Sequence, residues 1–279
     1  MEDFLAISEC STDELNALLE ESRSLKALYK SGRRDLCLAG KTLAMLFEKP
    51  SLRTRISFQV AMTELGGSPI YVKPEDIGGI GKREPVKDIA RVLSRYVHGI
   101  MARTFEHSTV VDLARYADIP VINALTDWSH PCQAMADVLT IGEHFGRIEG
   151  ITVAFIGDGN NVARSLAFAA GKLKMKLIVA SPAGYELDDA SIRVANGFAP
   201  GCVTQMSDPR AAVAQADVIY TDTWVSMGQE DEKDKRRREF AGFEVDAALV
   251  AAAPKHVRIM HCLPAYRGFE ISDEVTESP

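Results

Sequence analysis

Two kinds of apolar spacing alternate along the chain. Short, nearly continuous apolar runs recur at 41–47 (KTLAMLF), 69–73 (PIYVK), 99–103 (GIMAR) and 120–125 (PVINAL). They return at 151–159 (ITVAFIGDG), 176–182 (KLIVASP), 216–224 (ADVIYTDTW) and 256–264 (HVRIMHCLP). Runs of this length between turn residues read as strands buried on both faces. Between them lie segments with helical spacing. Ser11 or Thr12 caps the first, acids at 13 and 14 fill its first turn, and Gly32 ends it after about Lys30. A second helix is expected from about Arg53 to Leu65, with Phe58, Ala61, Met62 and Leu65 on one face and Gly66-Gly67 as the stop. Further helices are expected over 84–96, 108–117, 130–146 and 160–173, and near 188–196.

Strand and helix in strict alternation predict parallel sheets covered by helices, an α/β fold. Glycines at 146 and 150 interrupt the alternation, so two units are expected, 1–130 and 147–279, with 131–146 as a linking helix. The segment EDEKDKRRREF (230–240) reads as a solvated helix face.

Composition narrows the partners. The 279 residues are 46% apolar and 25% charged, with a net charge of −7, and no long basic stripe breaks the acidic balance. Nucleic acid is therefore not expected as a partner. No apolar run approaches the length of a membrane span, so no membrane partner is expected. The five cysteines (10, 37, 132, 202 and 262) are scattered and form no CxxC pair, which argues against a disulfide framework and a metal cluster and favours a reducing cytoplasm. An anionic ligand would need positive charge supplied locally.

In open α/β sheets ligands sit beyond the carboxyl ends of the strands. After the first strand, Ser51-Leu52-Arg53-Thr54-Arg55 opens a helix. Its first-turn N–H groups lack intrahelical partners and the macrodipole adds positive charge, so an anion is favoured there. Basic residues in a first turn oppose the dipole, which makes Arg53 and Arg55 hard to explain without that anion. Arg103 ends the third strand, and His130 and Gln133 follow the fourth. Together these groups suit one small polyanion. In the second unit GDGNNV resembles a dinucleotide loop, yet Val162 replaces the third glycine and the next strand ends in Ala180-Ser181-Pro182 without an acid. Both requirements of the nicotinamide fingerprint fail. Asn160 and Asn161 instead offer amides to a carboxylate or amine. Asp222 ends another strand and suits an ammonium group. Cys262 ends the last one, either as a core thiol or as a functional one.

The motifs SLRTR, ARTF, HPCQ, DGNNV, DTWVSMG and MHCLP stand here in the order seen in the aspartate/ornithine carbamoyltransferases, and over nearly the whole chain the sequence resembles that family. DTWVSMG with HCLP resembles the ornithine branch. The resemblance implies a carbamoyl-phosphate-binding domain, then an ornithine-binding one, with citrulline and phosphate as products. It implies no metal and no organic cofactor, a homotrimer or a multiple of it, and a role in arginine synthesis. Carried over by position, Ser51, Leu52, Arg53 and Thr54 hold the phosphate, and Arg103, His130 and Gln133 the carbamoyl group. Asn161, Asp222, Ser226 and Met227 hold the ornithine α-amino acid group. Cys262 and the Leu263 carbonyl face the δ-amine and complete the carbamoyl-phosphate site. Arg103, His130 and Cys262 are the expected catalytic groups, and a thiol reagent is expected to inactivate through Cys262.

Three departures stand out. Leu52 replaces the threonine common in the motif. The loop DIGGIGKREP lacks the glutamine expected near Gly79, leaving Lys82 or Arg83 as substitutes. The family's C-terminal helix is missing, so the chain is expected to be a piece of a longer protein or a poor enzyme. Two other readings compete: a carbamoyltransferase for an acylated ornithine or a diamine, against which SMG argues, and a non-catalytic ligand-binding homologue, against which Arg53, Arg103, His130 and Cys262 argue.

Overall fold

A computed structural model describes residues 1–225 and 230–278. The chain forms two compact units, residues 1–135 and 136–279, and passes from one to the other within a helix.

The first unit holds β1 (Thr42–Phe47), β2 (Ser68–Val72), β3 (Gly99–Arg103) and β4 (Val121–Leu125) in the order β2-β1-β3-β4, all parallel. Its helices are α1 (Thr12–Lys30), α2 (Leu52–Glu64), α3 (Pro74–Ile77), α4 (Val86–Tyr96) and α5 (His107–Tyr116), and α6 (Pro131–Phe145) leaves it. Ser11 caps α1 in a reciprocal box with Glu14, which satisfies two orphan N–H groups. Strand residues alternate between two cores because both faces of the sheet are covered. Leu43, Met45 and Phe47 face Met62 and Met101, whereas Leu46 faces Ile100, Val110 and Val121. The expected apolar face of α2 is narrower than its spacing suggests. Met62 is buried, Phe58 and Leu65 are half-buried, and Ala61 is exposed.

The second unit holds β5 (Thr152–Ile156), β6 (Lys176–Ala180), β7 (Val203–Met206), β8 (Val218–Thr221) and β9 (Arg258–His261), parallel in the order β7-β6-β5-β8-β9. Its helices are α7 (Asn161–Lys172), α8 (Asp189–Phe198), α9 (Pro209–Val213), α10 (Lys233–Glu239), α11 (Ala247–Val250) and α12 (Asp273–Thr276). Trp224, Phe240 and Phe243 pack with Ile156, Ile219 and Val245 into its core.

Each sheet therefore reverses direction once, between β1 and β3 and between β5 and β8. Such a switch point opens a crevice at the carboxyl ends of the two strands.

The charge run is not the solvated face its composition suggests. Arg236 on α10 is buried, donating to Asp158 (2.7 Å), Glu232 (2.8 Å) and the Trp224 carbonyl (2.8 Å). Its neighbours 233–235 and 237–239 are exposed, as expected.

Gly159 also has a packing reason. A Cβ there would stand 2.2 Å from the Leu187 nitrogen and 2.4 Å from the Glu186 carbonyl carbon, and Gly159 N–H donates to the Tyr185 carbonyl at 2.8 Å. The glycine lets two backbones touch; no dinucleotide is needed to explain it. Gly159→Ala must push that contact apart, an overpacking cost of about 1–3 kcal/mol. A fall of several degrees in the melting temperature is the expected result, and an unchanged melt would refute the packing explanation.

Candidate active site

In the first unit the site is built on the start of α2. Ser51 is the N-cap, accepting from the Thr54 N–H at 3.4 Å, and its hydroxyl donates to Thr54 Oγ1 at 3.1 Å. Arg103, buried at the end of β3, donates from Nη1 to the same Thr54 oxygen at 3.1 Å. Pairing of Phe47 with Arg103 brings the ends of β1 and β3 level, and the Glu48 N–H donates to the Arg103 carbonyl at 2.8 Å. A guanidinium is thus locked beside a helix N-terminus, and both favour negative charge in the same place.

Leu52 and Arg53 are exposed on the first turn, so the loss of the threonine hydroxyl at position 52 is a change on an exposed side chain. Arg55 is placed otherwise than expected. Its guanidinium lies over the Tyr71 ring, 4.1 Å from the centroid, and its Nε donates to Gln59. A cation–π contact on the edge strand accounts for Arg55, and the dipole argument rests on Arg53 alone.

His130 precedes α6. The turn before it is fixed by Thr126 N–H to the Ser129 carbonyl (2.9 Å), Ser129 N–H to Thr126 Oγ1 (3.1 Å) and the Asn123 amide to the Leu5 carbonyl (2.9 Å). Burial first, and then the Arg103 charge, lower the His130 pKa to about 3. The imidazole is therefore neutral at physiological pH. Gln133 stands half-buried in the first turn of α6. Cys132, which donates to the Asn123 carbonyl at 3.4 Å, has its pKa pushed by burial up to about 12 and is a structural thiol.

In the second unit the ends of β5, β8 and β9 meet on Asp222. The Asn160 amide donates to Asp222 Oδ2 at 2.7 Å, and Cys262 Sγ donates to Oδ1 at 3.0 Å. The Thr223 N–H reaches Oδ1 at 2.7 Å. Asn160 also caps α7, its side-chain oxygen accepting from the Val162 and Ala163 N–H groups. Asn161, the first residue of α7, accepts from the Ser165 hydroxyl through its carbonyl. Ser226 and Met227 lie outside the described residues.

Burial, and then the Asp222 charge, raise the Cys262 pKa well above the ordinary thiol value. Cys262 is thus a neutral donor to Asp222, and a poor nucleophile near neutral pH. Behind it the Tyr220 hydroxyl donates to Asp137 at 3.0 Å, both groups buried. Leu263 is half exposed, with φ +61°.

Possible ligand atoms of Asp222, His261 and Cys262 lie within 4.8 Å of one another, as a metal site would require. The His261 ring is committed elsewhere, however. Nδ1 accepts from the Leu263 N–H at 2.9 Å, and Nε2 faces Glu270 at 3.1 Å. With the cysteine held as a thiol, the chemistry of this cluster is hydrogen bonding.

The structure therefore joins Ser51, Thr54 and Arg103, with His130 close enough to feel the Arg103 charge, and separately Asp222 with Cys262. Asn160, His261 and Glu270 also enter the second cluster. Asn160 was signalled by its position after a strand and His261 by the HCLP motif. Nothing local marks Glu270.

A model of the aspartate/ornithine carbamoyltransferase carbamoyl-P binding domain matches residues 2–143, and one of the Asp/Orn binding domain matches residues 149–279. The chain belongs to the aspartate/ornithine carbamoyltransferase family. Its relatives point to one branch. The ornithine carbamoyltransferase of Methanocorpusculum labreanum is 49% identical over 99% of this chain and 90% of its own length. The anabolic ornithine carbamoyltransferase of Pyrococcus furiosus is 49% identical over 99% of this chain and 89% of its own. A solved ornithine carbamoyltransferase structure from Pyrococcus furiosus superposes with a TM-score of 0.96 at 48% identity, covering 100% of this chain and 90% of that one.

If Cys262 is a buried thiol bonded to Asp222, its alkylation by iodoacetamide at pH 8 should be at least about tenfold slower than that of exposed Cys37, and should climb as pH passes 9. Peptide mapping after timed labelling reads both rates. Equal rates at pH 8 would show a reactive thiol instead.

Proposed function

We propose that the chain transfers the carbamoyl group of carbamoyl phosphate to the δ-amino group of L-ornithine, giving L-citrulline and phosphate, in the synthetic direction that leads to arginine. The observation that carries this reading is the locked row Ser51–Thr54–Arg103 at a helix N-terminus, in a chain whose two halves match carbamoyl-phosphate- and Asp/Orn-binding domains. The ornithine carbamoyltransferase names of its relatives select the acceptor.

In this reading Ser51, Leu52, Arg53 and Thr54 bind the phosphate through backbone N–H groups and side chains. Arg103, His130 and Gln133 hold the carbamoyl group. The neutral δ-amine attacks the carbonyl carbon, a C–N bond forms, and charge gathers on the carbonyl oxygen. Thr54, Arg103 and neutral His130 aim donors at that oxygen. The intermediate collapses by breaking the bond to the phosphate oxygen, and the attacking nitrogen sheds a proton. Asn161, Asp222, Ser226 and Met227 bind the α-amino acid end. Cys262, as a thiol, orients Asp222, and the Leu263 carbonyl faces the δ-amine. We place the protein in the cytoplasm as a homotrimer or a multiple of it, working without metal or organic cofactor.

Colorimetric citrulline assay with a substrate panel tests the reaction. Ornithine should be turned over faster than putrescine or N-acetylornithine. A faster rate with either alternative would reassign the acceptor, and no citrulline from any condition would favour a non-catalytic homologue.

Arg53→Ala should leave the fold intact, since the side chain is exposed. Carbamoyl phosphate at a hundred times its Kd raises stability by about 2.7 kcal/mol. The variant should lose most of that thermal shift at the same concentration, whereas a shift equal to the parent's would remove Arg53 from the phosphate site.

A further inference from the structure

Arg103 and His130 come from neighbouring strand ends, and the ladder between those strands is irregular where they meet. Ala102 pairs with Asn123, but Arg103 pairs with Leu125, so β3 and β4 lose register at the arginine. Irregular pairing of this kind bends the backbone and re-aims side chains. Beyond it the two chains stay together through a clamp that none of the motifs includes. The Thr104 N–H donates to the Leu125 carbonyl at 3.1 Å, and the Asp127 N–H to the Phe105 carbonyl at 2.9 Å. His107, the first residue of α5, then takes over. Its N-cap, Glu106, gives no side-chain bond, and Asp127 supplies one instead: the His107 N–H donates to Asp127 Oδ1 at 3.0 Å. The His107 ring Nδ1 is hydrogen-bonded to Thr126 Oγ1 at 2.9 Å, and the ring lies against Trp128 with centroids 4.8 Å apart. One residue therefore grips three consecutive positions, 126–128.

The gripped segment is the turn that delivers His130. Thr126 Oγ1 also accepts from the Ser129 N–H at 3.1 Å, and the Thr126 N–H donates to the Ser129 carbonyl at 2.9 Å. A hydroxyl has one proton and two acceptor positions, so Thr126 can serve Ser129 and His107 at once. Thr126 and Ser129 are buried, whereas His107 is half-buried. The bonds to Ser129 shape the turn from within. The bond to His107 ties that shape to the segment that follows Arg103.

We propose that His107 is a positioning residue for carbamoyl transfer: by holding Thr126, Asp127 and Trp128 it fixes the spacing between His130 and Arg103, the two groups that receive the carbamoyl oxygen. This rests on the carbamoyl phosphate reading above. His107 touches no reacting atom. Its contribution is distance, and a misplacement of about 1 Å can cost about a hundredfold in rate. A half-buried ring is a small part of the core, so its loss should tell on turnover before it tells on stability.

Three variants separate the contacts of the ring. His107→Phe keeps a ring against Trp128 and removes the bond to Thr126. His107→Asn removes the ring and sets an amide near the position of Nδ1. His107→Ala removes both. Turnover, both KM values, the melting temperature and the heat protection given by carbamoyl phosphate or inorganic phosphate are measured for each. His107→Phe and His107→Ala should lower turnover at least about tenfold and raise the carbamoyl phosphate KM, with the ornithine KM within about twofold. Their melting temperatures should stay within a few degrees of the parent's. His107→Asn should recover most of the turnover. Inorganic phosphate should protect all three as well as it protects the parent, because Ser51, Arg53 and Thr54 are untouched, whereas carbamoyl phosphate should protect His107→Phe and His107→Ala less. In a His130→Ala background, adding His107→Phe should reduce neither turnover nor that protection further, since its effect passes through His130.

Parental kinetics in His107→Phe would overturn the proposal. So would equal damage from His107→Asn, or a loss in His107→Phe that adds in full to that of His130→Ala. If His107→Phe does not fold, His107→Ala and His107→Asn carry the same comparison. A parent that makes no citrulline and gains no heat protection from carbamoyl phosphate would refute the reading on which this role rests, and the role with it. An active parent with unaffected variants would refute this inference alone.

Discussion

A carboxylate taken out of water must be met by donors, or it destabilises the fold by several kcal/mol. Asp222 is buried, and its donors come from three places: the Asn160 amide after β5, the Thr223 N–H after β8 and the Cys262 thiol after β9. The parallel sheet makes this possible, because β5, β8 and β9 are neighbours and end at the same edge. Moving any of the three strand ends would leave the charge short of a donor. The requirement that fixes Asp222 therefore also fixes Asn160, the cap of α7, and Cys262, the head of the loop after β9.

The first unit solves the opposite problem. There the buried charge is Arg103, and the helix N-terminus beside it is positive too. Thr54 accepts from Arg103 and takes the Ser51 hydroxyl, which keeps the guanidinium in place without cancelling its charge. Burial and the Arg103 charge also hold His130 neutral, so the imidazole offers a hydrogen bond without adding a second full charge. The anion-seeking half thus runs against the net charge of −7, and only locked side chains can maintain such a local reversal.

How much of this could be read from the sequence depends on whether a feature is set by near neighbours. Strands and helices follow from apolar period and caps, and the parallel sheets follow from their alternation. Site residues at strand ends were legible because the fold class fixes where to look. What could not be read was settled by partners far along the chain. Arg236 sits in a run of charges that reads as solvated, and its burial rests on Asp158, 78 positions earlier, and the Trp224 carbonyl as well as on nearby Glu232. Arg55 looked like a phosphate ligand until Tyr71 on the edge strand claimed it. Ala61 fits the helical period yet is exposed, because the sheet covers a narrower stripe of α2 than the pattern allows. Cys262 could be read as a thiol at a strand end, but not as one whose proton is held by burial and a neighbouring carboxylate.

The two halves also divide the reaction by charge. Carbamoyl phosphate carries its negative charge on the leaving group, and the first unit offers it cations and N–H donors. In the proposed reading the acceptor brings an ammonium, for which the second unit offers Asp222 with a protonated thiol beside it. A thiolate there would be buried and would add a second negative charge beside the carboxylate 3.0 Å away, so burial first and then repulsion keep the proton on sulfur. Cys262 is then suited to orienting a carboxylate and unsuited to covalent attack. In the proposed reaction transfer is direct, from phosphate to amine through one tetrahedral intermediate, with catalysis resting on placement and on preformed donors.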